Sequence, residues 1–162
     1  MDEQTPSEPN RGHGDVLLEG EELLKGISDR RVCILRLGAL YGPQREFEQR
    51  FARLAGSTQN GRGERFTNWV HRDDAAAAAI AAVDGQWQGI VNVVDDAPVP
   101  LAELLDASLA QAGLEPITWK PASEPSKPGL NRCISNRLLK TRGFELNHPR
   151  ICLLYTSPSP RD

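Results

Sequence analysis

The sequence predicts an α/β fold built around a parallel sheet. Three observations carry this. VCILRL (32–37) and GIVNVVDD (89–96) are short, nearly continuous apolar runs of the kind found in strands covered on both faces. Stretches with helical spacing alternate with them, as in α/β domains. At 162 residues, 39% of them hydrophobic and 25% charged, the chain has room for one domain with its own core.

Residues 1–14 read as a loop broken by Pro6, Pro9, Gly12 and Gly14. Asp15 can cap a helix through about Lys25, with Gly26 as its stop. Val16, Gly20, Leu23 and Leu24 share one face of it, and Leu17 lies beside them. The strand VCILRL leads into the loop GALYGP; Phe47, Phe51, Leu54 and Ala55 then recur at helical spacing. STQNGRGER reads as a loop and FTNWVH as a strand. Trp69 and Val70 face a core or line a pocket. Asp73 or Asp74 is expected to cap an alanine helix running to about Val83, where small side chains allow close approach to a sheet. Asp95-Asp96 reads as a turn, followed by Pro98-Val99-Pro100. Leu101, Leu104, Leu105, Leu109 and Ala112 mark an amphipathic helix that Gly113 ends. ITW is a short strand and PASEPSKPG a loop; Ser135 caps a last helix, SNRLLKTR, that Gly143 ends.

A net charge of −3 gives no electrostatic reason to expect nucleic acid or an anionic membrane as partner. No apolar run approaches the ~20 residues that span a bilayer, and the polar, acidic start is not a signal peptide. Cys33, Cys133 and Cys152 are far apart, which argues for a reduced, cytoplasmic protein. His13, His71 and His148 lack metal-ligand spacing, so no metal is expected.

Four blocks, ILRLGALYGP, TNWVHRDD, GIVNVVDDAPVPLAELL and SNRLLKTRGFEL, resemble the second half of an extended short-chain dehydrogenase/reductase, of the NAD(P)-dependent epimerase/dehydratase type. The resemblance implies an incomplete, C-terminal half of a Rossmann-like parallel sheet with flanking helices and a small substrate-binding subdomain. It would occupy residues 1–148, with the N-terminal half of the domain missing and 149–162 a disordered, non-native tail. DEQTP (2–6) is similar to the family's loop before its active helix. Aligned on GEELL, His13 and Leu17 occupy the positions of the family's catalytic Tyr and Lys, so no catalytic residue carries over and the chain resembles an atypical member. Leucine can neither lower a phenol's pKa nor hold a ribose. The glycine-rich pyrophosphate turn is also missing, since Gly61-Arg62-Gly63 neither follows a strand nor opens a helix in this reading.

What carries over is positional. Gly38, Tyr41, Gly42 and Pro43 match the loop that passes the nicotinamide ring, and Arg45, Asn68 and His71 are the expected substrate contacts. Arg36, within the strand run, suits a buried ion pair, and Glu21-Glu22 reads as a solvated helix face. The resemblance implies NAD or NADP in the intact parent and none on this chain alone. It also implies a small-molecule substrate, a nucleotide sugar above all, and a homodimeric parent. The rival expectation is a non-catalytic module of the same fold that senses a dinucleotide or binds a protein.

Overall fold

The computed structural model describes residues 1–6, 13–121 and 131–151. The apolar runs at 32–37 and 89–96 form β1 (Cys33–Leu37) and β6 (Gly89–Val93), paired in parallel with Ile34 opposite Ile90 and Leu37 opposite Val93. Gly38 then diverts the chain into β2 (Ala39–Tyr41), which exchanges β6 for a new parallel partner, β5 (Trp69–His71). The switch is stitched by Gly38 N donating to Val93 O and Ala39 N to Asn68 O, both at 2.9 Å. Only glycine permits the crossing, because a Cβ at Gly38 would lie 2.8 Å from the Trp69 carbonyl carbon.

Helices lie on both sides of the β1/β6 pair, although β1 stays only half-buried. On one side, Ala75 and Ala78 of α3 (Arg72–Asp84) and Leu139 of α5 (Arg137–Thr141) pack with Cys33, Leu35, Val91 and Val93. On the other lies α1 (His13–Lys25), held by a two-pronged ion pair in which Arg36 donates to both carboxylate oxygens of Glu21, at 2.7 and 2.5 Å. Arg36 thus forms the ion pair expected of it, and Glu21 faces the sheet rather than solvent. Beyond the sheet, α2 (Phe47–Phe51) and its 3-10 extension (Ala52–Leu54) pack with α4 (Leu101–Gln111). Two short pairs complete this smaller layer: β3 (Thr58–Asn60) with β8 (Thr118–Lys120), parallel, and β4 (Phe66–Thr67) with β7 (Val99–Pro100), antiparallel. The 57–65 stretch therefore contains a strand as well as a loop. Its polar residues pair because α4 returns the chain alongside them.

The cap of α3 also differs from expectation. His71 is the N-cap, its Nδ1 accepting from Asp73 N at 3.3 Å. Asp74, fully buried, accepts instead from the backbone N–H groups of Asn147 and His148 at 2.9 and 2.8 Å. The carboxylate serves a segment more than seventy residues away. That segment runs on through Arg150, whose carbonyl accepts from Tyr41 Oη, to Ile151, 1% exposed in the core with Tyr41, Phe47 and Trp69. Of the stretch read as a tail, Ile151 is thus packed, Pro149 and Arg150 are exposed with bonded carbonyls, and 152–162 lie outside the described residues.

Candidate functional site

Parallel strands in open α/β sheets leave their ligand crevice beyond their carboxyl ends. At the carboxyl end of β1 the structure has a cavity of about 180 Å³ lined by Asp2, Thr5, Arg36, Leu37, Asn92 and Arg132, among others. Residues 1–6 shape its wall. Ser135 N donates to Met1 O, and Asn92 N donates to Glu3 Oε1 at 2.9 Å, so this segment lies along the edge of β6. Thr5 Oγ1 donates to Asp2 Oδ1 at 2.9 Å, and this bond holds the Asp2 carboxyl below its ordinary range. Arg36 reaches the cavity with its charge already engaged; the Glu21 hydrogen bonds raise its pKa and lower that of Glu21. Leu37, 46% exposed, supplies an apolar wall. Such a crevice combines paired charges, hydrogen-bonding groups and an apolar patch, and suits a small, hydroxyl-bearing ligand. A larger groove of about 660 Å³ lies at the opposite end, beside Val32 and Gly89 where both strands begin. Its size is not matched by buried polar groups, so the carboxyl-end cavity is the stronger candidate.

The residues singled out in the sequence divide into two groups. Gly38 is consumed by the strand crossing. Tyr41, 5% exposed, stacks on Phe47, meets His71 edge-on, and donates to Arg150 O at 3.3 Å. Gly42, at φ +128°, opens a tight turn closed by Arg45 N donating to Gly42 O at 2.8 Å; a Cβ there would lie 2.7 Å from His71 Nε2. Asn68 is bonded on both sides, donating to Arg132 O and accepting from Ile134 N, each at 2.8 Å. It straps 132–134 against the cavity wall. His71, 7% exposed, stacks on His148 with ring centroids 3.7 Å apart, while His148 Nδ1 lies 3.3 Å from Asp74 Oδ2. Burial, then the neighbouring His148, lowers the His71 pKa. These five residues sit in packed or bonded positions around one strand junction. Pro43 and Arg45 are the exposed members, and the Pro43 carbonyl accepts from Arg72 Nη1 at 2.9 Å. Leu17 is 70% exposed on α1, and the His13 side chain lies outside the described residues.

Sequence reading missed Asp95. It follows β6 at the carboxyl end, is 2% exposed, and neither carboxylate oxygen has a hydrogen-bond partner. Burial pushes its pKa up to about 7; the nearby Ala97 N–H offsets part of this and the Asp96 charge adds to it. Asp96 behaves oppositely. Burial would raise it, but hydrogen bonds from Lys140 and Asn136, both at 2.7 Å, bring it below its ordinary value. The usable signal was the doublet itself: two adjacent carboxylates at a strand end alternate in direction, so one turns inward.

The described residues do not fit a dinucleotide's pyrophosphate. Both helices of eight or more residues that directly follow a strand, α3 and α4, carry acids in the first turn, Asp73 and Asp74 in one and Glu103 in the other. Those charges oppose an anion at the helix N-terminus. Among the described residues no group of three or more His, Cys, Asp or Glu could hold a metal, and no helix is long and apolar enough to cross a membrane.

No family model matches the chain. It is 33% identical over 150 residues to a 3-diazoavenalumate denitrifying reductase from a Streptomyces species, covering 87% of this chain and 48% of that protein. A protein from Methylobacillus flagellatus, provisionally described as an NAD-dependent epimerase/dehydratase, superposes with a TM-score of 0.69 at 26% identity, over 94% of this chain and 54% of that one. MoeE5, solved with UDP-glucose and NAD, gives a TM-score of 0.68 at 20% identity, over 90% of this chain and 54% of that one. The fold is the partial Rossmann-like α/β fold of epimerase/dehydratase neighbours. The chain spans about half the length of the curated relatives it matches.

Proposed function

We propose that this chain is the substrate-side half of an NAD(P)-dependent epimerase/dehydratase-like oxidoreductase acting on a nucleotide sugar or related small metabolite. The reading rests on the carboxyl-end crevice, where Arg36, Asp2 and Asn92 converge beside Leu37. Its surroundings are rigid: Glu21 locks Arg36, and Asn68 locks 132–134. Arg45, exposed at the mouth of the Gly42 turn, is the proposed outer contact for substrate phosphate, and the Gly38–Pro43 loop the proposed approach to the nicotinamide. His71 and Asn68 act by holding that loop and the cavity wall in place. In this reading the described residues carry no dinucleotide site and the chain alone turns nothing over: the strand–helix junctions repel pyrophosphate, and the resemblance sets Leu17 where a cationic partner would stand.

The solved neighbours support a sugar nucleotide: MoeE5 is described with UDP-glucose and NAD. The test is calorimetric titration of the purified chain with UDP-glucose and, separately, NADH. Weak UDP-glucose binding lost in Arg36→Ala, with no NADH binding, supports the reading. NADH binding or NAD(P)-dependent turnover by the chain overturns the inactive-alone part. Binding that Arg36→Ala leaves unchanged overturns the crevice. The second reading, a non-catalytic module, draws on the same Leu17; it predicts an intact parent that binds NAD(P) tightly with no redox activity on any sugar nucleotide.

A further inference from the structure

Residues 147–151 lie as a strap across the carboxyl ends of three strands. Asp74, in the first turn of α3 after β5, accepts from Asn147 N and His148 N. Asp96 N, beyond β6, donates to Pro149 O at 2.8 Å, and Tyr41 Oη, at the end of β2, donates to Arg150 O. Ile151 packs with Tyr41, Phe47 and Trp69. The remaining attachment is the His148 ring, which lies flat on that of His71 with centroids 3.7 Å apart and planes at 21°. This stack can take one positive charge but not two. A first proton has a place on His148 Nδ1, which is buried without a hydrogen-bond partner 3.3 Å from Asp74 Oδ2. His71 Nδ1 has no such place, because it accepts from Asp73 N to cap α3 and a proton there would face that N–H. The hydrogen of neutral His71 is then on Nε2, against the Gly42 turn. The carboxylate at His71 Nδ1, Asp73 Oδ2, is 3.7 Å away on a side chain 61% exposed, so solvent weakens it as a counter-charge.

We infer that 147–151 is an acid-released strap: charging both rings of the His71–His148 stack breaks the α3 cap and lifts the segment off the strand ends, while the β1/β6 pair stays folded. The groups facing the pair set the direction. On α3, Asp73 and Asp74 favour the charged rings and Arg72 opposes them; on β2, the neutral Tyr41 ring meets His71 edge-on. Arg150, on the strap, acts on Asp96. Burial outweighs the two carboxylates and holds His71 below its ordinary pKa. The closed strap is therefore favoured above ~6.5 and loses that advantage as pH falls from there to the folded pKa. Each unit between those two values is about a tenfold change in the open population. Release takes Ile151 away from Tyr41, Phe47 and Trp69, and frees Asp96 N beside the enclosed Asp95. Acid thus opens the carboxyl end of the β2/β5 junction. The inference does not depend on the proposed activity.

Amide exchange measured by NMR on the full chain at about pH 7.5 and about pH 5 tests it, each rate taken relative to an unstructured amide at the same pH. The Asn147, His148 and Asp96 amides should lose at least about tenfold in protection at the lower pH, while amides of the β1/β6 pair keep theirs. His71→Asn keeps a capping oxygen without a titrating ring, and His148→Phe keeps a stacking ring without a charge. Each should abolish the pH effect, and if one variant fails to fold the other decides. Protection of the three amides that is the same at both pH values overturns the inference. So does a loss that spreads equally to the β1/β6 amides, which is global unfolding, or a pH effect that survives in either folded variant.

Discussion

Replacing Asp95 by Asn should make the protein more stable at alkaline pH and change how its stability depends on pH. The carboxyl is 2% exposed with no hydrogen-bond partner, and its pKa is about 7 in the folded chain. In the unfolded chain it titrates near ~3.9. Between those values the unfolded state gives up its proton while the folded state keeps it. Stability from this group is therefore fully present below about pH 4 and falls as pH rises, levelling off above about 7. Three units at ~1.4 kcal/mol each give a cost of about 4 kcal/mol at pH 8, against roughly 1.5 kcal/mol at pH 5. Other carboxylates, such as Glu21 and Asp96 with their lowered pKa values, tilt the total the opposite way. The comparison with Asp95→Asn subtracts them. Urea unfolding followed by tryptophan fluorescence at pH 5 and pH 8 should show the gap between variant and unmodified chain widening by about 3 kcal/mol at the higher pH. A gap that does not change with pH would refute the reasoning, because it would mean that Asp95 ionises in the folded protein as freely as in the unfolded one.

His71 should show the reverse trend. Its folded pKa lies below the unfolded value, so its contribution is present above ~6.5 and is lost as pH falls through the range down to the folded pKa; His71→Gln should flatten the acid limb of a stability–pH curve measured by urea unfolding. Gly38→Ala places a Cβ 2.8 Å from the Trp69 backbone and should destabilise by roughly 1–3 kcal/mol, read as a lower thermal midpoint. Arg36→Ala leaves the half-buried Glu21 without its partner and should cost about 1–3 kcal/mol, whereas the double change Arg36→Ala with Glu21→Gln should recover part of that loss. Asp74→Asn should cost about 2–4 kcal/mol at pH 8 and speed amide exchange at Asn147 and His148, monitored by NMR.

What the sequence disclosed was the part of the fold that local pattern controls. The apolar runs at 32–37 and 89–96 pair as parallel strands, β6 with a buried end and β1 half-buried, and the alanines of α3 are buried at Ala75, Ala78 and Ala82. Arg36 was legible as a paired charge, since an arginine in an apolar strand needs a partner, but Glu21 as that partner depends on how α1 lies across the strands. The strand at Thr58–Asn60 was hidden because its residues are polar and its pairing with Thr118–Lys120 is made across α4. The cap of α3 was misread for a related reason. Two aspartates before an alanine run look like caps, but Asp74 is drawn to the N–H groups of Asn147 and His148, leaving the role to His71. In the candidate site, the loop Gly38–Pro43 was read as passing a nicotinamide; the geometry ties its glycines to Trp69 and His71.

Asp74 and Asp95 show why burial alone does not identify a working carboxylate. Both are almost wholly enclosed, Asp74 in the first turn of α3 and Asp95 two residues past the end of β6. Asp74 has two backbone donors at hydrogen-bond distance and ties the C-terminal segment to α3. Asp95 has none. The same change to asparagine therefore acts with opposite sign at pH 8. At position 74 the new amide sets a donor against a donor and loosens the segment; at position 95 it removes a buried charge that the nearby Ala97 N–H only partly offsets. A group held in the costlier of these two states needs an explanation outside the fold's own stability. The carboxyl end of a parallel sheet is where an incoming ligand or chain segment would provide it. A hydroxyl or N–H donor delivered there would stabilise the ionised form, bring the Asp95 pKa back toward the ordinary carboxylate range, and turn a destabilising residue into a binding one.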